Sequence, residues 1–319
     1  MYRRIGLIAA LAITIATTPT DAGPIAAPRI ATVDPVVVDD GSAGGLTLRI
    51  SYLVTGRKMP VVILSHGFHL SREDYQPLVR SMVAAGFVVI QPDHPDASID
   101  GFAPPGPSDP DSWRKRIAQV RWIAGHQGIV TGSVPGLRAR VDADRIAVVG
   151  HSFGGHTAET VMGATVIDPA SGKPMHADEP TIKAAVLLSP PGHEDGLTDN
   201  WKRQSPYLKV DWSTMRGPVL TIVGGNDNVW ALPQGPVWLT DGYRRSQPGR
   251  GICLMTVAGA GHYIGGIDGP LRPPTGDATP ARLALVRTAV VTFLQAGLYP
   301  GDTAKAKAWT AIRTRIDCK

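Results

Sequence analysis

Gly150-His151-Ser152-Phe153-Gly154-Gly155 sets one serine between glycines two residues before and two residues after it. The apolar run Arg145-Ile146-Ala147-Val148-Val149 leads into it, and a helical pattern carrying Ala158, Val161 and Met162 follows. A serine at such a strand-to-helix turn projects its hydroxyl above the sheet, and the glycines leave room for the turn. The helix that starts behind it aims free amides at an oxygen that becomes anionic. The chemistry implied is nucleophilic attack on an acyl carbon.

A serine hydroxyl needs a base to take its proton and a carboxylate to orient that base. At this kind of turn the partners follow in the chain order serine, acid, histidine. Of nine histidines, only His262 follows the final expected strand, in Gly259-Ala260-Gly261-His262-Tyr263. The favoured acid is Asp227, where Val219–Val223 opens into Gly224-Gly225-Asn226. Its rivals are Asp195 and Asp199 after the preceding strand, and Asp268 beyond His262. Ser65-His66-Gly67-Phe68 follows the apolar run 61–64 and supplies a glycine-containing turn at a strand end. The amides of Phe68 and Phe153 are the candidate oxyanion donors, with both rings lining an acyl pocket. His66, His151 and His156 read as structural.

Such a site needs a sheet beneath it. Continuous apolar runs at 61–64, 87–90, 145–149, 184–188, 218–223 and 252–257 suit strands buried on both faces, and 46–52 alternates like a half-exposed strand. Helical spacing over 72–85, 112–125 and 280–296 falls between or after them. Strands alternating with helices predict an α/β fold, a mostly parallel sheet of about eight strands with helices on both faces, and ligands at the carboxyl ends of its strands. Residues 23–34 read as a Pro/Ala-rich leader and 96–111 as a loop. The segments 164–181 and 191–216 lack periodicity and are expected to overhang the site. The tryptophans at 201, 212, 230 and 238 could wall an apolar cleft, although core positions are their commoner use.

With 319 residues, 43% hydrophobic and 18% charged, the chain can bury one sizeable core. Arg3 and Arg4 precede a short apolar run, with Thr20 and Ala22 before Gly23. Residues 1–22 read as a secretory signal peptide, the alternative being an uncleaved anchor. Residues 23–319 then form one catalytic domain, secreted or periplasmic. No other stretch reads as long and apolar enough to span a membrane, so no stable anchor is expected. The net charge of +5 is scattered, without a dense basic run interleaved with aromatics, which argues against nucleic-acid binding. Cys253 and Cys318 either pair or stay free, and export would permit a bridge. Neither a CxxC pair nor a Cys/His cluster with metal spacing occurs, so no metal site is expected.

Together, Ser65-His66-Gly67-Phe68, Gln91-Pro92-Asp93-His94-Pro95, Gly150–Gly155 and Gly259-Ala260-Gly261-His262 resemble α/β-hydrolases related to platelet-activating-factor acetylhydrolase. Bacterial polyester hydrolases and dienelactone-hydrolase-like proteins are broader relatives. The resemblance runs over about residues 46–297. Dienelactone hydrolases use a cysteine nucleophile, whereas position 152 is serine. The resemblance implies the α/β-hydrolase fold and calcium-independent hydrolysis of a small-molecule or lipid-like ester. It implies Ser152, His262 and Asp227 as a triad, with Phe68 and Phe153 at the oxyanion hole and no cofactor. Alternatives are a lipase, polyesterase or amidase on the same fold, or a non-catalytic binding protein on a hydrolase scaffold.

Overall fold

The computed structural model describes residues 28–98, 109–269, 271 and 276–319. The expected signal segment 1–22 and most of the 96–111 loop lie outside the described residues. The strands are β1 (Ile30–Val38), β2 (Leu46–Leu53), β3 (Met59–Ser65), β4 (Val88–Pro92), β5 (Val141–His151), β6 (Thr165–Ile167), β7 (Pro174–Met175), β8 (Ile182–Leu188), β9 (Val210–Asp211), β10 (Val219–Gly224), β11 (Ile252–Val257) and β12 (Asp317–Cys318). The α-helices are α1 (Gln76–Ala84), α2 (Ser112–Gly125), α3 (Gln127–Gly132), α4 (Phe153–Val161), α5 (Asp199–Gln204), α6 (Asp241–Arg245), α7 (Pro280–Leu298) and α8 (Thr303–Ile312).

Nine strands form the main sheet in the order β1-β2-β4-β3-β5-β8-β10-β11-β12. Pairing is parallel from β4 across to β11 and antiparallel at the two edges. The apolar runs are these inner strands. Each is covered on both faces, which a run of consecutive hydrophobes requires. Alternate residues feed two cores. Val61, Ile63, Ile146, Val148 and Leu187 pack with Trp113, Ile117 and Val120 of α2 and Ala158 and Val161 of α4. Val62, Leu64, Val149, Val186 and Ile222 pack with Leu78, Val79 and Met82 of α1 and Val290, Phe293 and Leu294 of α7.

The chain goes from β3 outward to β4 and returns to β5 on the other side of β3. The carboxyl ends of β3 and β5 therefore flank a crevice where the strand order reverses, which is where ligands settle on such sheets. Ser65–Phe68 leaves β3 there, and Ser152 leaves β5.

Four sequence expectations change, and one element is new. Residues 30–34 are not leader but the start of edge strand β1. Its β-branched Ile30, Thr32, Val33 and Val36–Val38 pair with β2, and Pro35 is tolerated at an edge, so the sheet has nine strands. Helix α1 begins at Gln76 rather than near 72, because the Asp74 carboxylate accepts from the amide and hydroxyl of Ser71 and closes a turn first. The segment 164–181 does not overhang the crevice; β6 pairs with β7 and with β9 in a small separate sheet. Helix α8, which the sequence reading passed over, packs Trp309 on Phe293 of α7 with ring centroids 5.0 Å apart. Finally, α7 is 19 residues long with mean hydropathy 1.3, long and apolar enough to cross a membrane. Its apolar face instead closes the core beneath the sheet.

Cys253 of β11 and Cys318 of β12 form a disulfide across a sequence separation of 65 residues. Closing so long a loop restrains the unfolded chain. Cys253→Ser, or reduction, is expected to lower unfolding free energy by about 2–4 kcal/mol. Guanidinium denaturation with and without reductant measures this, and unchanged midpoints would remove the bridge from the stability of the fold.

Candidate functional site

Ser152 sits at φ 53, ψ −118 between β5 and α4, a left-handed turn forced on a non-glycine residue. Its amide donates to the Leu188 carbonyl, 2.8 Å away, which ties the turn to neighbouring β8. The flanking glycines are steric necessities. A Cβ at Gly150 would lie 2.0 Å from the Gly154 carbonyl oxygen, and one at Gly154 would lie 2.0 Å from the Ser65 carbonyl oxygen. Helix α4 thus rests directly on the end of β3.

Asp227 follows β10 and is 1% exposed. Its Oδ2 is 2.9 Å from Nδ1 of His262, and the Val229 amide donates to its Oδ1 at 3.3 Å. Burial opposes charge on Asp227, but the hydrogen bond and charge of His262 outweigh it and hold the carboxyl below its ordinary range. The rivals lie elsewhere. Asp195 binds Arg245, Asp199 is exposed at the start of α5, and Asp268 accepts from the Tyr75 amide through its backbone carbonyl.

A cavity of about 630 Å³ brings Ser152, Phe153, Gly67, Phe68 and His262 onto one wall. The Ser152 hydroxyl makes no hydrogen bond to His262 in this structure; apo sites often close that contact only around substrate. The amides of Phe68 and Phe153 have no partner among the described residues. The segment 191–216 adds Pro191, Trp201, Ser205 and Tyr207 to the lining, with the Tyr207 ring stacked on Phe153 at 5.1 Å. Of the four tryptophans considered, Trp201 and Trp230 line the cavity. Trp238 backs Trp230 at 5.2 Å, and Trp212 is core at 1% exposure. Trp113 and Tyr207, stacked 6.2 Å apart, were not singled out by the sequence reading and add to the wall.

The flanking histidines are buried and neutral. His66 Nδ1 donates to the Gly67 carbonyl at 2.7 Å, and its Nε2 accepts from the His94 amide at 3.0 Å. His151 Nε2 donates to the His262 carbonyl at 3.0 Å, and its Nδ1 accepts from the Tyr75 hydroxyl at 2.8 Å. Burial lowers His66 and His151 to about 3 and His156 to about 4, with the Arg116 charge adding for His66 and His156 and His262 for His151. His94 is also held well below its ordinary value by burial.

These histidines give the fold an acid limit. Below 6.5 the unfolded chain takes up protons that the folded chain refuses, so their contribution is complete above that value and declines as pH falls toward 4 or 3. Asp268, raised to about 6 by burial, and Glu159, raised well above its usual range by burial, act with the opposite sign but are outnumbered. Urea midpoints measured from pH 7.5 to 4.5 are expected to fall steadily, and a flat profile would contradict neutral buried imidazoles.

The chlorophyllase family model matches residues 31–166, a stretch that contains Ser65–Phe68 and Ser152 but neither Asp227 nor His262. A platelet-activating factor acetylhydrolase from Cavia porcellus is 27% identical over 141 residues, 34% of this chain and 32% of that protein. Cutinase 2 from Thermobifida cellulosilytica is 27% identical over 190 residues, 60% of this chain and 55% of that protein. Chlorophyllase type 0 from Chenopodium album is 26% identical over 145 residues, 41% of this chain and 40% of that protein. The chain thus spans about half the length, or less, of these curated relatives. A mostly parallel sheet covered on both faces, a serine at a left-handed turn between strand and helix, and these matches agree on one architecture: the chain has the α/β-hydrolase fold, and its matched stretches are similar to serine-esterase-like proteins of that fold.

Proposed function

We propose that this chain cleaves carboxylic esters through an acyl-enzyme, with Ser152 as nucleophile, His262 as general base, Asp227 as orienting acid and the Phe68 and Phe153 amides as the oxyanion hole. Support comes from one cavity that holds a strained serine, a histidine already bonded to a buried carboxylate, and two amides without partners among the described residues. The relatives named as cutinase, acetylhydrolase and chlorophyllase point to ester bonds in general.

His262 Nε2 takes the Ser152 proton as Oγ bonds to the ester carbonyl carbon. The negative charge that develops on the carbonyl oxygen is met by the two amides. As the tetrahedral species collapses, the ester C–O bond breaks and His262 protonates the departing alkoxide. Water then loses a proton to His262, attacks the acyl-enzyme and releases the acid. Asp227 keeps the imidazole in the tautomer that leaves Nε2 free, and stabilises the imidazolium.

The aromatic side chains Phe68, Trp113, Phe153, Trp201, Tyr207 and Trp230 around the cavity suit an apolar ester. A lipase or polyesterase is the second reading, favoured by the apolar rim: Phe68 and Val229 are 47% and 57% exposed at the cavity mouth. An amidase uses the same machinery. Residues 23–319 act as one catalytic domain, exported behind residues 1–22 to the periplasm or medium, where the Cys253–Cys318 bridge is stable. Small-molecule or lipid-like esters are the partners of this site.

Fluorophosphonate labelling of the wild type, and its loss in Ser152→Ala, is the direct test. Ser152→Ala is expected to cut kcat by about 10⁵–10⁶-fold and Asp227→Asn by about 10⁴-fold. An unlabelled wild type without esterase activity would leave a binding protein on a hydrolase scaffold. p-Nitrophenyl esters of increasing chain length, together with a polyester film, separate the substrate classes. A sharp fall beyond short acyl chains would exclude the lipase.

A further inference from the structure

The turn that carries Phe68 is held by a buried cation. Arg116 lies on α2 and is 0% exposed. Its guanidinium grips Asp96 with two bonds, Nε to Oδ1 at 2.8 Å and Nη2 to Oδ2 at 2.7 Å. The remaining donors reach backbone: Nη1 to the His66 carbonyl at 2.6 Å and Nη2 to the Gly67 carbonyl at 3.3 Å. Its central carbon also lies 4.4 Å from the centroid of the Phe153 ring. One side chain therefore touches the peptide unit that carries the Phe68 amide, through the Gly67 carbonyl, and the ring of Phe153.

Two peptide bonds flank Gly67, and together they carry four polar groups. The His66 carbonyl is bound by Arg116. The Gly67 amide donates to the Tyr75 hydroxyl at 2.9 Å. The Gly67 carbonyl accepts from His66 Nδ1, from the Leu70 amide at 3.2 Å and from Arg116. The fourth group, the Phe68 N–H, has no partner among the described residues. A trans peptide is planar, so its N–H points opposite its C=O. Holding the Gly67 oxygen from behind therefore aims the Phe68 N–H in the opposite direction and polarises it as a donor. A Cβ at Gly67 would crowd this nest, 3.0 Å from His151 Nδ1 and 3.1 Å from a Leu70 methyl, so the neighbours would have to give by a few tenths of an ångström.

We propose that Arg116, locked by Asp96, is a positioning residue that aims the Phe68 amide at the transition-state oxyanion. This rests on the assignment of that amide under Proposed function. The oxyanion exists only after attack, so misaiming the donor costs transition-state binding and leaves ground-state binding nearly untouched.

Arg116→Lys keeps the charge but loses the fork. Asp96→Asn keeps the guanidinium but loosens its anchor, and so provides a second test should Arg116→Lys fold poorly. Each folded variant is expected to lose about 10–10²-fold in kcat, up to the loss seen on deleting one oxyanion donor, with KM changed less than about twofold. Inhibition by an alkyl trifluoromethyl ketone, which adds to the serine and forms an oxyanion, should weaken by the same factor as kcat/KM. Arg121→Ala, an exposed arginine on the same helix, is the control and should match wild type. A folded Arg116→Lys or Asp96→Asn with wild-type kcat, or with a change in KM alone, overturns the proposal. An inactive, unlabelled wild type would instead overturn the assignment of the site.

Discussion

The spacing between α4 and the end of β3 governs everything built above the sheet. Gly154 meets the Ser65 carbonyl so closely that a single Cβ would sit 2.0 Å from its oxygen, and Gly150 meets Gly154 in the same way. Only at that distance can the start of α4 and the turn after Gly67 line one cavity. The strain at Ser152 follows from the same constraint. The chain must turn from β5 into a helix with no room to spread, and the Leu188 carbonyl holds it there. A helix one side chain further out would leave two separate loops instead of one site.

The polar groups below the cavity share a second constraint. Arg116, Asp96, His66, His94, His151 and Tyr75 are almost fully out of water. Burying ionic and polar groups is costly unless each finds a partner, and replacing such a pair by hydrophobes often stabilises a fold. Here the groups pair with one another, with the Ser65 hydroxyl and Gln119, and with backbone groups of the Ser65–Phe68 turn and the His262 carbonyl. The buried pair is therefore better understood as a geometric device than as a source of stability. Tyr75 and His151 make the connection concrete: the Gly67 amide, the Tyr75 hydroxyl, the His151 ring and the His262 carbonyl form one chain of hydrogen bonds.

Much of this was legible in the residues. Strands buried on both faces appear as unbroken apolar runs, and the serine motif carries its strand and helix with it. Chain order and position past a strand end pointed to His262 and favoured Asp227 over Asp195 and Asp199, and the two side chains lie 2.9 Å apart. What escaped has a common cause, which is that it depends on distant partners. β1 reads as a leader because its strand character appears only against β2. The small sheet needs Val210 to reach Val166. Tyr207 becomes a cavity wall only when 191–216 folds over the crevice. Arg116 did leave a local trace. It lies on the apolar stripe of α2 with Trp113, Ile117 and Val120, where a charge signals a buried partner, but the identity of Asp96 as that partner depends on the fold.

The short strand β12 has a role beyond the disulfide that fastens it. It pairs with Cys253 and Leu254, and the Lys319 amide donates to the Ile252 carbonyl. Without it, the first half of β11 would present unpaired backbone groups at an open sheet margin. Such margins invite strand addition from another molecule and the slow growth of intermolecular β structure. The strand so protected leads directly into the loop of His262. Covering that margin removes a template for strand addition at the same edge from which the His262 side of the cavity is hung.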